Sequence, residues 1–79
     1  MDIENRLMLI VANLLRIDMK LFNISTSLTD IGMDSLMFIK MVIEIEDAYG
    51  FEFDDNYLDG KHLKTLSDVA NYIRQKIVN

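Results

Sequence analysis

A serine that directly follows an aspartate stands before a long apolar segment, and this pair is the part of the chain best suited to chemistry. Residues 36–49 contain neither glycine nor proline, so the pattern predicts a helix that begins at Ser35. Asp34 is a natural N-cap, because its carboxylate can accept a hydrogen bond from a backbone N–H that the helix leaves unpaired. Gly32 lets the incoming loop turn tightly. We therefore predict that the Ser35 hydroxyl faces water at a helix N-terminus, where unpaired N–H groups and the helix dipole favour a phosphate.

The serine lies in a short motif, Asp-x-Gly-x-Asp-Ser-Leu, whose fixed positions are Asp30, Gly32, Asp34, Ser35 and Leu36. Through this motif, and through its place after one helix and at the start of the second, nearly the whole chain resembles the acyl and peptidyl carrier proteins. The resemblance implies that a phosphopantetheinyl transferase moves 4′-phosphopantetheine from coenzyme A onto Ser35. It also implies that Gly32, Asp34 and Leu36 belong to the attachment site, and that cargo is carried as a thioester on the thiol of the arm.

Each motif residue also has a purely structural interpretation. Ser35 can simply cap or solvate the start of the helix, and Asp34 can be the cap alone. In carrier proteins the acid before the serine also helps to engage the transferase, and both roles can hold together. We expect Asp30 to serve hydrogen bonding within the loop more than contact with a partner.

Composition limits the remaining possibilities. Seventy-nine residues, 51% of them apolar, allow one domain over residues 1–79 with a thin core. No cysteine is present, so disulfides and thiolate metal sites are excluded, and a carrier built from this chain must import its thiol. The net charge of −5 argues against nucleic acid as a partner and favours enzymes with basic docking surfaces.

Other candidate ligands are few. His62 is the only histidine, and we expect it on a surface loop, because neither a catalytic dyad nor a zinc site has a second member. Asp54, Asp55 and Asp59 could bind calcium loosely, but their spacing does not match an EF-hand loop. We predict no catalytic residue and no metal site, which fits the resemblance: it implies a carrier rather than an enzyme.

The chain shows no signal peptide and no apolar run long enough to span a membrane. We therefore expect a cytoplasmic protein. Because the chain starts with its own methionine and carries no linker, we expect a free-standing carrier. We also expect it to be a monomer.

The first half of the chain predicts one helix and a long ordered loop. Asp2 is the expected N-cap of a helix to about Arg16, and its inward positions recur at helical spacing, at Ile3, Leu7, Ile10, Val11 and Leu14. Residues 17–34 are too apolar for a solvated linker, so we expect a loop pinned to the helices. Ile31, just before the motif, is the expected plug into the core.

The second helix, over residues 35–49 with Gly50 as its stop, has two apolar stripes where a surface helix needs one. We assign the core to the stripe of Phe38, Met41, Val42, Ile45 and Tyr49. The second stripe could be extra core, but its positions face partners in the carrier family. With its charged and polar surroundings, the predicted docking surface comprises Leu36, Met37, Ile39, Lys40, Ile43, Glu46 and Asp47.

The last third predicts a loop, a short helix and a long helix. Residues 51–53 alternate like a strand but have no obvious partner, so we expect a loop with Phe53 buried. A short helix should cover residues 54–59. Thr65 and Asp68 form a capping-box pattern for a helix to about residue 77, with an inward stripe of Leu66, Val69, Ala70, Ile73 and Ile77. The predicted fold is all-α, a small four-helix bundle of acyl-carrier type with three main helices and a short third one.

The resemblance also suggests the kind of carrier. Fatty-acid carriers have a strongly acidic second helix, whereas Met37 and Lys40 interrupt that pattern here. The chain therefore looks closer to carriers of nonribosomal peptide or polyketide assembly. Their partners would be an adenylating or acyl-loading enzyme and condensing, modifying or thioesterase enzymes. A fatty-acid carrier and an unmodified helical interaction module are the alternatives.

Cargo placement depends on how full the core is. Four bulky side chains are expected there, Phe38, Met41, Phe53 and Tyr72. If they fill the interior, little room is left between the helices for a long acyl chain.

Overall fold

The computed structural model describes residues 2–58 and 60–77. Three α-helices form the bundle: α1 spans Ile3–Leu15, α2 spans Ser35–Tyr49 and α3 spans Leu66–Ile77. Single turns of 3₁₀ helix lie at Met19–Leu21, Thr29–Ile31 and Asp55–Tyr57. The all-α prediction with three main helices is confirmed. The short helix predicted over residues 54–59 is only one 3₁₀ turn, and Asp59 lies outside the described residues.

The core forms where α1 packs against both α2 and α3. The predicted inward stripe of α2 is buried except for Tyr49, which is half-buried at the end of the helix. The side chains with the least exposure come from all three helices: Leu7, Val11, Met41, Ile45, Leu66, Val69 and Ile73. Ile77 was predicted to point inward but is 41% exposed, because it is the last helical residue and lies at the end of the bundle. Ile3, Ile10 and Leu14 are half-buried at the edge of the core.

The first helix begins and ends as its local sequence predicts. Asp2 is the N-cap, and its carboxylate accepts a hydrogen bond from the Asn5 amide at 2.7 Å. The helix ends at Arg16, which takes the left-handed conformation with φ of 58°. This conformation is uncommon for a residue with a side chain, and it turns the chain into the long connection.

The connection from α1 to α2 is an ordered loop, as predicted, and it is tied to the segment before α3. The Leu28 amide donates to the Lys64 carbonyl at 2.9 Å, and Ser27 forms an isolated antiparallel bridge with Thr65. Ile31 is only half-buried, whereas Met33 is buried, so Met33 is the main plug. Gly32, in the left-handed conformation, lies between these two residues.

An aromatic cluster centred on Tyr72 joins α3 to the segment after α2. The Tyr72 ring lies 4.4 Å from the Tyr57 ring and 4.9 Å from the Phe53 ring, measured between centroids. Phe53 is buried in a loop, which confirms the prediction. The Tyr72 hydroxyl accepts a hydrogen bond from the Asp54 amide at 2.9 Å. These contacts position the 3₁₀ turn Asp55–Tyr57 against the bundle.

Next to the aromatic cluster, an ion pair joins the segment after α2 to the end of α3. Lys76 Nζ lies 3.0 Å from the Asp54 carboxylate and 5.7 Å from the centre of the Tyr72 ring. The hydrogen bond to Lys76 lowers the pKa of Asp54, and the same bond raises the pKa of Lys76. Burial raises the pKa of Tyr72. The segment after α2 is therefore fixed to α3 by both packing and charge.

The start of α3 carries the predicted capping box. The Asp68 amide donates to Thr65 Oγ1 at 3.1 Å, while Asp68 Oδ2 accepts from the Thr65 amide at 3.1 Å. The same carboxylate oxygen accepts from the Lys64 amide at 3.0 Å. The cap therefore also fixes the backbone just before the helix.

None of the described helices combines the length and the apolar character that a membrane crossing requires. The cytoplasmic location and the monomeric state stay predictions.

Candidate cofactor attachment site

The motif residues before the serine fold into a tight turn. Gly32 follows the 3₁₀ turn Thr29–Ile31 with φ of 85°, and its amide donates to the Thr29 carbonyl at 3.2 Å. Residues with a side chain rarely adopt this angle, so the glycine is needed for its backbone conformation. The Met33 amide then donates to the Leu28 carbonyl at 3.0 Å. Together these bonds hold the chain where it enters α2.

Asp34 caps α2 as predicted. Its backbone is extended, and its carboxylate accepts a hydrogen bond from the Met37 amide at 2.8 Å. Its carbonyl accepts the first helical bond, from the Phe38 amide at 2.8 Å. The cap satisfies only part of the helix N-terminus. Among the hydrogen bonds of the described residues, none uses the amides of Ser35 and Leu36.

Ser35 is the first residue of α2, and its side chain is exposed. The predicted position of its hydroxyl, at a helix start and facing water, is thus present in the structure. Two neighbouring amides are available to an anion, and the helix dipole adds to that attraction. The local geometry suits a phosphodiester on Ser35.

A cavity of about 390 Å³ adjoins Ser35. One wall is the first turn of α2, and the other consists of loop residues on either side of the bridge between Ser27 and Thr65. Most of its surface is apolar, from Leu28, Met33, Phe38, Ile39, Leu58 and Leu63. Its polar lining includes the hydroxyl-bearing residues Ser27 and Thr29 and the cation Lys64. A flexible arm with methyl, hydroxyl and amide groups fits such a mixed surface.

Sequence reasoning missed the far wall of this cavity. Leu63 and Lys64 are distant from the motif along the chain, and no local pattern connects them to Ser35. They come close because the Lys64 carbonyl accepts a hydrogen bond from Leu28. Asp30 takes part in hydrogen bonding within the loop, as expected, through its backbone amide, which donates to the Ser27 carbonyl at 3.1 Å.

Two kinds of comparison with known proteins bear on this site. The family model described as "Phosphopantetheine attachment site" matches residues 5–73, which includes both walls of the cavity and the whole motif. The chain belongs to this family. Its cofactor is 4′-phosphopantetheine, held covalently, so the predicted cofactor is confirmed for the family as a whole.

Curated relatives are acyl carrier proteins. The chain is 38% identical over 47 residues to the acyl carrier protein of Bdellovibrio bacteriovorus, a match that covers 60% of this chain and 58% of the relative. It is 34% identical over 47 residues to the acyl carrier protein of Desulforapulum autotrophicum, with the same coverage. The match thus spans a little over half the length of these relatives.

The second apolar stripe of α2 lies on the surface of this carrier-family chain. Leu36, Ile39 and Ile43 are 62%, 40% and 54% exposed, so they are not extra core. Lys40 and Asp47 are exposed beside them. We call Leu36, Ile39 and Ile43 the α2 stripe.

Two residues of the predicted docking surface are less accessible. Met37 is half-buried and packs against the core. Glu46 is half-buried, and its carboxylate accepts a hydrogen bond from the Phe53 amide at 2.9 Å. Glu46 therefore has a structural contact with the segment after α2, in addition to any role at the surface.

Among the described residues, the remaining candidate ligands show no grouping that could hold a metal ion. His62 is exposed on a loop, as predicted, and its ring lies 5.0 Å from the Tyr57 ring. Within residues 2–58 and 60–77, no three acidic or histidine side chains are placed to hold a metal ion together. Asp59, one member of the considered calcium set, lies outside these residues.

Proposed function

We propose that this chain is a carrier that bears 4′-phosphopantetheine on Ser35 and shuttles bound intermediates between biosynthetic enzymes. The observation that carries the proposal is the exposed Ser35 hydroxyl at the first residue of α2, directly after a capping aspartate. The family match across residues 5–73 supports it. In this role the protein is a substrate of its partners and not an enzyme.

Ser35 and its neighbours have different roles in attachment of the cofactor. The Ser35 hydroxyl is the nucleophile that a transferase must activate, and its exposure allows that enzyme to reach it. The cap at Asp34 keeps the start of α2 formed, and the amides of Ser35 and Leu36 are placed to bind phosphate oxygens. The cofactor, once attached, supplies the thiol that a chain without cysteine lacks.

The α2 stripe is the proposed docking surface. Three exposed aliphatic side chains on one helix, with Lys40 and Asp47 beside them, provide an apolar patch with a charged rim. Because the stripe starts one residue after Ser35, an enzyme bound there would hold its active site near the arm. The partners of this surface are the transferase, a loading enzyme, and condensing, modifying or thioesterase enzymes.

The pathway is proposed from the charge of α2. Lys40 is exposed in the middle of the helix, and the α2 stripe gives partners apolar rather than acidic contacts. These features favour aminoacyl, peptidyl or polyketide cargo. The acyl carrier proteins among the curated relatives support a fatty-acid carrier as the second candidate. The two candidates differ in the enzyme that loads the thiol.

Cargo placement follows from packing. Phe38, Met41, Phe53 and Tyr72 are all buried, so the centre of the bundle is filled by bulky side chains. The cavity beside Ser35 lies at the side of this core. We propose that long cargo stays out of the centre of the bundle.

The attachment experiment measures intact mass after incubation with coenzyme A, magnesium and a broad-specificity phosphopantetheinyl transferase. We expect one phosphopantetheine per chain, none on Ser35→Ala, and a normal addition on Ser25→Ala. Ser25 is the matched control, because it is also exposed in a loop region but lies outside the motif. Circular dichroism should show that both variants fold. No addition to a folded native chain would instead favour the unmodified interaction module, with the α2 stripe as its binding surface.

A further inference from the structure

The cavity that adjoins Ser35 is also lined by a cation, Lys64. Among the residues that line it, Lys64 carries a positive charge and Asp34 a negative one. Asp30, four residues before Asp34, is also exposed. A phosphodiester on Ser35 would add a further negative charge next to Asp34 in the chain. Lys64 is therefore the lining residue whose charge complements the modification.

The backbone of Lys64 is fixed relative to the start of α2. Its carbonyl accepts from the Leu28 amide at 2.9 Å, and its amide donates to Asp68 Oδ2 at 3.0 Å. Nearby, the Leu66 amide donates to the Thr26 carbonyl at 3.2 Å. These bonds join the segment of Lys64 to the loop that leads to Ser35, and both residues line the same cavity.

The Lys64 side chain is exposed and available. In the described residues, the ion pairs use other cations: Lys76 pairs with Asp54, and Arg74 pairs with Glu4. No described carboxylate forms an ion pair with Lys64, so a phosphate would not have to displace an existing partner.

We propose that Lys64 is a positioning residue for the arm: its ammonium pairs with the phosphodiester on Ser35 and directs the arm along the cavity. This inference rests on the proposed attachment at Ser35. The apolar wall at Leu28 and Leu63 suits the methyl groups of the arm, and the hydroxyl-bearing residues at the rim suit its amides. The ion pair favours the arm lying against the domain between encounters with enzymes.

The test uses NMR on the loaded protein, after intact mass has shown complete loading. The expected signals are nuclear Overhauser contacts between the arm methyl protons and the methyl groups of Leu28 and Leu63, together with a ³¹P shift typical of a bound phosphodiester. In Lys64→Gln the docked-to-free ratio of the arm should fall about two- to fivefold, the range of an exposed ion pair. Lys64→Arg should restore most of the contacts, because it keeps the charge.

Lys20→Gln is the matched control, since Lys20 is also an exposed lysine between α1 and α3, in the 3₁₀ turn Met19–Leu21, but does not line the cavity. It should leave both signals as in the native protein. Equal contacts in native protein and Lys64→Gln would overturn the proposal, as would a fully loaded native protein whose arm makes no contact with the cavity. In both cases the proposed function stands, because loading is measured separately by mass. Failure to load the native chain would overturn both.

Discussion

Two roles of Asp34, capping α2 and recognition by the proposed transferase, can be separated by substitution. Its carboxylate accepts the Met37 amide and so holds the first turn of α2. It also stands directly before Ser35, where the proposed function requires a transferase to bind. The cap needs only an acceptor oxygen, whereas recognition by a basic enzyme surface needs the charge. Asparagine keeps the first property and loses the second.

We therefore expect Asp34→Asn to fold with nearly native stability and to be loaded about two- to fivefold more slowly, as for the loss of an exposed charge pair. Asp34→Ala should load as slowly and should also lose about 1 kcal/mol of unfolding free energy, because the cap bond is removed. Urea unfolding and the initial rate of mass addition measure the two effects. Native loading of the asparagine variant would limit Asp34 to capping.

At the scale of the element, α2 shows how one helix can serve two purposes. One face closes the core, with Met41 and Ile45 without exposure. Another carries Ile39 and Ile43, which are aliphatic yet exposed. A domain of this size has too few helices to cover both faces. An apolar side chain left outside costs little folding energy but remains available to a partner.

Two isoleucines two residues apart test this division of α2. Ile45→Ala should lower the unfolding free energy by about 2–5 kcal/mol, because a buried side chain leaves a cavity. Ile43→Ala should change it by about 0.5 kcal/mol or less, as at an ordinary surface position. Urea unfolding measures the free energy of both variants, fitted with the same dependence of unfolding free energy on urea concentration. Similar losses in the two variants would show that Ile43 is part of the core and not of the α2 stripe.

At the scale of the whole molecule, the corner around Tyr72 links the segment after α2 to the end of α3. Tyr72 packs against aromatic rings, accepts the Asp54 amide and lies beneath Lys76. Its pKa is raised by burial, and the pKa of Lys76 is raised by the hydrogen bond to Asp54. A group with a raised pKa in the folded state stabilises the fold fully below its unfolded pKa and loses that effect as the pH rises.

We expect stability to decline as the pH rises past the ordinary pKa values of tyrosine and lysine, 10.0 and 10.5, because the unfolded chain releases the protons of Tyr72 and Lys76 before the folded chain does. Tyr72→Phe should show a shallower decline, since it lacks the buried hydroxyl. The urea midpoint at each pH measures the effect, with the neutral-pH value of each variant as its own reference. A decline of equal steepness in both proteins would contradict this origin.

At low pH, the ion pair changes the stability of the fold in the opposite direction, through Asp54. The lowered pKa of Asp54 stabilises the fold above the ordinary carboxyl value and loses that effect as the pH falls through the folded value.

The sequence alone determined the features that depend on neighbours within about one helical turn. The cap at Asp34, the left-handed turn at Gly32, the exposed serine and the stop at Gly50 follow from residues close in the chain. The same holds for the capping box of α3. Hydrophobic periodicity also separated the two faces of α2, because a helix fixes which side chains share a face.

Tertiary structure decided what depends on distant contacts. Leu63 and Lys64 line the same cavity as Ser35 because backbone hydrogen bonds join two loops, and no side-chain pattern in the sequence predicts these bonds. Packing likewise made Met33 rather than Ile31 the main plug, and it left Ile77 exposed at the end of the bundle. Periodicity assigns a side chain to a face, but only the neighbouring elements determine how far that face is covered.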